Sequence, residues 1–210
     1  LYESYSASIL ATAALGVAGV LSLGTAEQLK YVAAPVMLAG LGVLISIIGI
    51  FLVRTDEGAN MGQLIRTLDR SVNISAVIIA ALSLPMLLAL DLAEHNAWAI
   101  WFCIIFGLVA GIAIGRVTEY YTSFEYNPTQ GIAAQATTGP ATVIIDGLAV
   151  GMRSTGFPVL IVVLATGLAY FVAGGANSTL YGLFGVGMAA VGMLSTLGLT
   201  LSMDAYGPIA

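Results

Sequence analysis

The sequence predicts an all-α, polytopic membrane helix bundle with about six transmembrane helices. Of the 210 residues, 59% are hydrophobic and only 8% are charged, whereas soluble domains carry roughly 25% charged residues. Long segments without acidic or basic side chains alternate with short charged ones, and each is about the ~20 residues that a helix needs to cross the hydrocarbon core. No segment alternates apolar and polar residues as an outer-membrane β-strand does.

The charged residues divide the chain into predicted spans within a single membrane domain, residues 1–210. We expect these spans at about residues 4–26, 31–53, 71–92, 96–121, 141–173 and 179–204. The polar, turn-forming residues 174–179 separate the last two spans. The fifth span, if it is one continuous helix, is ~50 Å long at the standard helical rise. It would then project beyond the membrane with Asp146 and Arg153 on the projecting part.

Basic residues are distributed unevenly between the two predicted sides of the membrane. One side carries Arg54, Arg66, Arg70, Arg116 and Arg153. The loops of the other side carry only Lys30, together with His95. Because cytoplasmic loops carry an excess of Lys and Arg, this asymmetry predicts a multi-pass protein of the cell membrane with the Arg-rich loops in the cytoplasm. Because six spans are an even number, both ends of the chain lie on the same side, which is predicted to be the cytoplasm.

The termini and the composition narrow the expected partners. The chain opens on Leu1 without a basic region and closes on Ala210 without a terminal signature. We therefore expect a segment whose partner is the missing remainder of the same chain, surrounded by membrane lipid. The sequence has no basic cluster to neutralise phosphates, which argues against a nucleic-acid partner. Cys103, the single cysteine, is interpreted as a buried structural thiol.

Two acidic residues stand at ends of predicted spans, both on the cytoplasmic side. Glu3 opens the first span. It is either a solvated residue favoured by the helix dipole or an ion-binding carboxylate that faces a bundle interior. Asp204 ends the sixth span, where a carboxylate opposes the helix dipole. This position favours a compensating cation, and hard divalent cations prefer carboxylate oxygens; a simple interfacial Asp is the alternative.

Several stretches of the sequence resemble one known family, in the same order and at similar distances. They are Leu-Tyr-Glu-Ser-Tyr at 1–5, Glu-Tyr-Tyr-Thr-Ser at 119–123, Thr-Gly-Pro-Ala-Thr-Val-Ile-Ile at 138–145, Gly-Leu-Ala-Val-Gly-Met at 147–152, Gly-Met-Leu-Ser-Thr at 192–196 and Asp-Ala-Tyr-Gly-Pro-Ile-Ala at 204–210. These stretches resemble the membrane-bound, ion-pumping pyrophosphatases. The second and third spans match that family only in hydropathy.

The resemblance implies a larger fold and an activity. In the family, sixteen helices form an inner and an outer ring, and two subunits make a homodimer. Pyrophosphate, held by magnesium ions at the cytoplasmic face of the inner ring, is hydrolysed, and the reaction drives Na⁺ or H⁺ outward. By this resemblance the full-length chain is a hydrolase and translocase that uses Mg²⁺, with K⁺ and Na⁺ as further cofactors. The first and sixth spans would belong to the inner ring and the others to the outer ring.

The resemblance also assigns roles to individual residues. Glu3 matches the gate glutamate of the family's sixth helix, and Ser4 matches the hydroxyl beside it. Asp204 matches an aspartate that lines the site for metal and pyrophosphate. Ala7 stands where plant-type proton pumps place the gate acid, so the chain follows the arrangement of sodium pumps and several bacterial proton pumps. No catalytic set is complete within these residues, so hydrolysis would belong to the full chain.

Two other classes of function stay open at this point. One is a secondary ion-coupled transporter, a class that often shows paired, interrupted helices in an inverted repeat; the sequence shows no such internal symmetry. The other is a non-catalytic membrane subunit. The choice between Na⁺ and H⁺ is also open, although the sequence of residues 138–145 most resembles that of potassium-stimulated sodium pumps of bacteria.

Overall fold

The structure is a computed structural model that describes residues 2–53, 61–93 and 96–206, with the side chains of residues 52, 61–66 and 203–206 outside the described part. Within these ranges every regular element is a helix. The α-helices are α1 Tyr2–Gly19, α2 Thr25–Leu52, α3 Met61–Leu90, α4 Ala97–Thr122, α5 Asn127–Ala134, α6 Pro140–Val172, α7 Thr179–Leu194 and α8 Leu197–Tyr206. A short 3-10 helix, Gln135–Thr137, follows α5. The all-α class predicted from the sequence is confirmed.

Five described stretches are long and apolar enough to cross a membrane. They are Thr25–Phe51, Thr67–Leu90, Ala97–Thr137, Pro140–Val172 and Thr179–Ser202. A helix satisfies its backbone hydrogen bonds internally, which is what a chain surrounded by lipid requires. The chain is therefore a multi-pass membrane protein. The 18-residue α1 is not among the five, so the first predicted span, residues 4–26, stays a prediction.

The helices extend beyond the predicted spans where charged residues belong to the helix itself. α2 begins at Thr25 rather than near residue 31, since Glu27 and Lys30 lie in its first two turns and form an ion pair at 2.8 Å. α3 begins at Met61 rather than near residue 71. By contrast, α4 and α6 begin and end within about one residue of the predicted spans 96–121 and 141–173. α6 is the single continuous helix of 33 residues that the sequence suggested.

Two further helical features were not predicted. The segment that joins α4 to α6 contains α5, with a proline in its first turn, a position that Pro favours. The sixth predicted span is interrupted at Ser195 and Thr196, between the end of α7 and the start of α8. The predicted span 179–204 is thus two helices rather than one.

The described chain divides into two compact units, the first of which comprises residues 1–108 and 166–210. Its core is centred on Tyr31 and Phe184, which are almost fully buried and whose ring centroids are 5.1 Å apart. Glycines allow the helices to approach closely here. A β-carbon at Gly16 would lie 2.9 Å from the Phe184 ring, and one at Gly187 would lie 2.6 Å from Thr12 Oγ1. Small residues at helix interfaces are how membrane helices pack where lipid gives no hydrophobic drive.

The second unit comprises residues 109–165. Its connecting segment is held by its own side chains. Gln130 Nε2 donates to the carbonyls of Phe124 and Glu125 at 3.3 and 3.2 Å, and Thr129 Oγ1 donates to the Tyr121 carbonyl at 3.4 Å. These bonds fix the chain as it enters α5. The part of α6 in this unit is exposed and apolar along most of its length, as expected for a helix that faces lipid or protein.

Candidate functional site

The first predicted site residues, Glu3 and Ser4, lie in the first turn of α1. Both are exposed. The Ser4 carbonyl accepts a hydrogen bond from Ser8 Oγ at 2.8 Å, so the turn is held by its own chain. A carboxylate in the first turn is favoured by the helix dipole. In the part of the chain that the structure describes, the Glu3 carboxylate is available to a cation or to another segment.

α1 is fixed by contacts along its length, not at its first turn. The Tyr5 hydroxyl donates to the Ala39 carbonyl of α2 at 3.3 Å, and the Tyr5 side chain is buried. Further along, Thr12 lies against Gly187 and Gly16 lies against Phe184. Residue numbers therefore rise along α1 as they fall along α7, so the two helices are antiparallel. The first turn of α1 points to the end of the unit where α7 stops.

Asp204, the predicted metal-site residue, belongs to the last turns of α8, and its side chain lies outside the described part. α8 continues from α7 along α2. A β-carbon at Gly42 would lie 2.5 Å from the Ser195 carbonyl oxygen, and one at Gly198 would lie 2.8 Å from Ser46 Cβ. Residue numbers rise together on the two sides, so α2 and α7–α8 are parallel. The backbone of Asp204 and the Glu3 turn therefore lie toward the same end of the first unit.

The opposite end of the same unit holds a polar contact that sequence reasoning missed. Lys30 Nζ donates to Glu27 Oε1 at 2.8 Å and to the Asp91 carbonyl at 3.0 Å. Asp91 follows α3 with a φ of 46°, the left-handed conformation common just past a helix C-terminus. The sequence alone indicates only that Lys30 marks one side of the membrane. In the structure it ties the start of α2 to the end of α3, which is a structural function.

The described residues alone do not make a complete metal centre. Among them there is no group of three or more His, Cys, Asp or Glu side chains that could hold a metal ion. Asp146 lies beside α5, with its Oδ2 3.9 Å from the position of a β-carbon at Gly131, and Arg153 is exposed on the same helix. No ion pair joins these two in the described chain. The site thus offers single carboxylates, one at the start of α1 and one near the end of α8.

Two buried serines near α8 were also missed. Ser46 of α2 and Ser75 of α3 are 2% and 0% exposed, and neither hydroxyl has a hydrogen-bond partner in the described chain. A sequence signal existed for the interruption beside them. Ser195 and Thr196 interrupt an apolar run and are flanked by glycines at 192 and 198. No such signal existed for the burial of Ser46 and Ser75, which depends on how the helices pack.

Known proteins match the whole of this chain. A protein of Bacteroides thetaiotaomicron, named as a candidate K(+)-stimulated pyrophosphate-energized sodium pump, is 50% identical over 100% of this chain and 29% of its own length. The K(+)-stimulated pyrophosphate-energized sodium pump of Thermotoga maritima is 37% identical over 84% of this chain and 24% of its own length. The K(+)-insensitive pyrophosphate-energized proton pump of Methanosarcina mazei is 35% identical over 100% of this chain and 29% of its own length.

These relatives are longer than the chain, which spans less than a third of the length of each. The matches to the Bacteroides thetaiotaomicron and Methanosarcina mazei proteins nevertheless cover the whole chain, including α1 and α8. A family model described as "Inorganic H+ pyrophosphatase" matches residues 1–210. The chain therefore belongs to the inorganic H⁺ pyrophosphatase family.

Proposed function

We propose that this chain is a segment of a membrane pump that couples hydrolysis of inorganic pyrophosphate at the cytoplasmic face to outward transport of Na⁺, H⁺ or both. The observation that carries the proposal is the family match over residues 1–210, with relatives named as sodium pumps and proton pumps. A secondary transporter or a non-catalytic subunit is less well supported, because those relatives bear the names of pyrophosphate-driven pumps.

In this proposal the chain contributes part of the hydrolytic site and the remainder of the longer protein contributes the rest. Asp204 would supply one carboxylate oxygen for Mg²⁺ bound to pyrophosphate. Its place near the C-terminus of α8 puts two negative features together, the carboxylate and the end of the helix dipole, and both favour a divalent cation. When bound, Mg²⁺ would neutralise charge on the pyrophosphate. The absence of a three-ligand cluster in the described part fits a site completed by other segments.

Glu3 and Ser4 would form part of the ion gate. Both residues are exposed at the start of α1, and α1 is anchored by Tyr5 and Thr12. This supports a carboxylate whose position is fixed by α1 and which another segment of the longer protein can contact. The gate would bind or relay the pumped cation, because a carboxylate in a low-dielectric bundle interior interacts strongly with a cation.

Orientation and assembly are part of the same proposal. The start of α1, the end of α8 and the Arg-rich loops would face the cytoplasm, on the charge asymmetry of the loops. Arg54 and His95, which enter that asymmetry, lie outside the described residues, as does the side chain of Arg66. The full-length chain would form a homodimer, as its resemblance to the family implies. It would also respond to K⁺, because the names of two of the relatives include K⁺ stimulation.

The proposed metal site is tested by Asp204→Asn in the full-length protein. We expect magnesium-dependent hydrolysis of pyrophosphate to fall by ~10²-fold or more, the usual size of removing one essential charge-stabilising group. Asp91→Asn is the matched control, since Asp91 lies at the other end of the unit with a φ of 46° that Asn also tolerates. Near-normal turnover of Asp204→Asn at saturating Mg²⁺ would remove Asp204 from the site.

The proposed gate is tested by Glu3→Gln, measured as hydrolysis and ion uptake against Na⁺ concentration in sealed vesicles. We expect uptake to fall more than protein yield, and the Na⁺ dependence of hydrolysis to change; Glu3→Asp should keep partial function. Glu125→Gln, an exposed glutamate of the connecting segment, is the control. A solvated helix-start residue would lose only ~0.3–1 kcal/mol of stability. Unchanged curves for Glu3→Gln would mean that the gate lies elsewhere.

A further inference from the structure

The end of α4 and the turn that follows it carry a cluster of exposed aromatic rings. Tyr120 is 43% exposed, Phe124 is 61% exposed and Tyr126 is 36% exposed. Between ring centroids, Tyr120 lies 5.4 Å from Tyr126 and 5.2 Å from Tyr121. In the part of the chain that the structure describes, these rings lie on the surface of the second unit. We call Tyr120, Phe124 and Tyr126 the aromatic patch.

The length of α4 indicates the depth of this patch in the membrane. A span of ~20 residues that starts with α4 at Ala97 ends at Arg116. Arg116 is also the first charged residue of α4, as expected where a helix leaves the hydrocarbon core. Tyr120 follows one helical turn later, ~6 Å further along the helix axis. The headgroup layer on each side of the hydrocarbon is ~5–7 Å thick, so Tyr120 lies within that layer.

The chain that follows the patch folds back on it. Thr129 Oγ1 donates to the Tyr121 carbonyl at 3.4 Å. Gln130 Nε2 donates to the carbonyls of Phe124 and Glu125 at 3.3 and 3.2 Å. These bonds join α5 to the end of α4 and to the turn between them. α5 therefore lies beside the patch, and the turn is held in one conformation.

The charge content of this segment is low for a loop in water. Residues 117–139 contain only two charged side chains, Glu119 and Glu125, about a third of the frequency in soluble domains. Arg116, the basic residue nearest the patch in the sequence, forms an ion pair with Glu119 at 3.6 Å. The segment thus has no excess of positive charge with which to attract anionic lipids.

The chemistry of the patch fits lipid headgroups. Aromatic side chains with a polar group are enriched at the membrane–water interface, because the ring is apolar and the hydroxyl forms hydrogen bonds. The patch combines the ring of Phe124 with two tyrosine hydroxyls. A further segment of the longer protein and a second copy of the chain are the other candidates to cover it. Lipid is favoured because the patch continues the apolar surface of α4, a membrane span, at the depth of the headgroups.

We propose that the aromatic patch is an interfacial anchor. Tyr120, Phe124 and Tyr126 lie among the lipid headgroups at the end of α4 and hold α5 against the membrane surface. Rings rather than charges supply the attraction, so a zwitterionic lipid such as phosphatidylcholine is sufficient. In the proposed orientation the anchor lies in the cytoplasmic leaflet. The anchor requires a membrane but does not rest on the proposed pump activity.

The test measures the depth of the patch in the full-length protein, reconstituted in phosphatidylcholine vesicles. A nitroxide is attached to a single cysteine at Glu125→Cys, between two rings of the patch. Its accessibility to oxygen and to a water-soluble nickel complex reports its depth, with lipids labelled at the headgroup and along the acyl chain as the scale. We expect the label at headgroup depth, and at the same depth when anionic phosphatidylglycerol is added.

Removal of the rings tests whether they are the anchor. Phe124→Ala combined with Tyr126→Ala should move the label toward water by about the thickness of the headgroup layer, ~5 Å. Phe157→Ala is the matched control, because Phe157 is 56% exposed, close to the value for Phe124, but lies in the middle of α6. This control should leave the depth of the label unchanged.

Four results would overturn the proposal. A label as accessible to nickel as one in water would mean that the patch does not touch the membrane. Low accessibility to both reagents would mean that protein covers the patch. A label that reaches headgroup depth only with phosphatidylglycerol would mean that charge, not the rings, supplies the attraction. An unchanged depth after removal of both rings would mean that the anchor lies elsewhere. If the double variant does not fold, the depth of the Glu125→Cys label alone decides.

Discussion

The sharpest stability prediction concerns two glycines of α4 that the sequence presents as equivalent. Gly107 and Gly115 belong to one series spaced by four residues. A β-carbon at Gly107 would overlap the carbonyl oxygen of Ala189 and lie 3.0 Å from the Met193 nitrogen. Both obstacles are backbone atoms of α7, which cannot rotate away as a side chain can. A β-carbon at Gly115 would meet nothing within 4 Å in the described chain.

The expected magnitudes follow from two opposing effects. Replacing Gly by Ala in a helix interior stabilises by up to ~1 kcal/mol through helix propensity. Forcing an extra methyl group into a packed interface costs ~1–3 kcal/mol. Gly115→Ala has only the first effect, whereas Gly107→Ala has both. Because helix backbone opposes the methyl group at Gly107, we expect the cost near its upper end, so that Gly107→Ala is less stable than Gly115→Ala by ~2–3 kcal/mol.

The assay is thermal unfolding of the purified full-length protein in detergent, followed by tryptophan fluorescence. Gly107→Ala should unfold at a lower temperature than wild type, and Gly115→Ala at the same temperature or above. Gly40→Ala on α2 is a second control, because a β-carbon there also meets nothing within 4 Å. If Gly107→Ala were as stable as the controls, the close approach of α4 to α7 would be wrong.

Two further predictions test the orientation and the packing of the first four helices. A single cysteine at Gly24, between α1 and α2, should be labelled only from outside oriented vesicles, and one at Ser123 only from the cytoplasmic side; the reverse pattern would invert the topology. Trp101→Phe removes a hydrogen bond from Nε1 to the Ala80 carbonyl at 2.8 Å and should lower the free energy of unfolding by ~0.6–1 kcal/mol. Trp98→Phe, at an exposed ring, should cost less; equal losses would mean that the bond contributes nothing.

The predicted spans match the ends of α4 and α6 but not the starts of α2 and α3. The physical reason is visible at α2, where the charge of Lys30 predicts a loop. Its ammonium group is satisfied by Glu27 and by the Asp91 carbonyl, so charge neutralisation within the first turns lets the helix start earlier, at Thr25. A sequence shows that a charge is present but not which partner it meets. The ends of α6 lie within about one residue of the predicted span, because Pro140 and the polar turn at residues 174–179 mark them in the sequence.

The candidate site was predictable in part. Charge asymmetry and parity put Glu3 and Asp204 toward one end, and the helix directions in the structure agree with that. The interruption at Ser195 and Thr196 was not predicted, although these hydroxyl residues and the glycines at 192 and 198 mark it in the sequence, because such residues also occur within continuous membrane helices. The unpaired hydroxyl of Ser46 was also beyond prediction, since it arises only when α8 lies on α2 at Gly198.

The two candidate residues sit on helices that are held very differently. α1, which carries Glu3, packs against both α2 and α7 and is fixed by the buried Tyr5 and Thr12. α8, which carries Asp204, is separated from α7 by two non-helical residues and rests mainly on α2 through small side chains.

A tilt of α8 would therefore move Asp204 while Glu3 stays in place, because no contact of α1 with α7 would have to change. In the proposed pump, such a movement would change the distance between Asp204 and Glu3 without unfolding any helix. A disulfide between cysteines placed at Ser46 and Gly198 would hold α8 on α2. It should stop both hydrolysis and ion uptake, and reduction should restore them. Full activity of the cross-linked protein would show that α8 works as a fixed element.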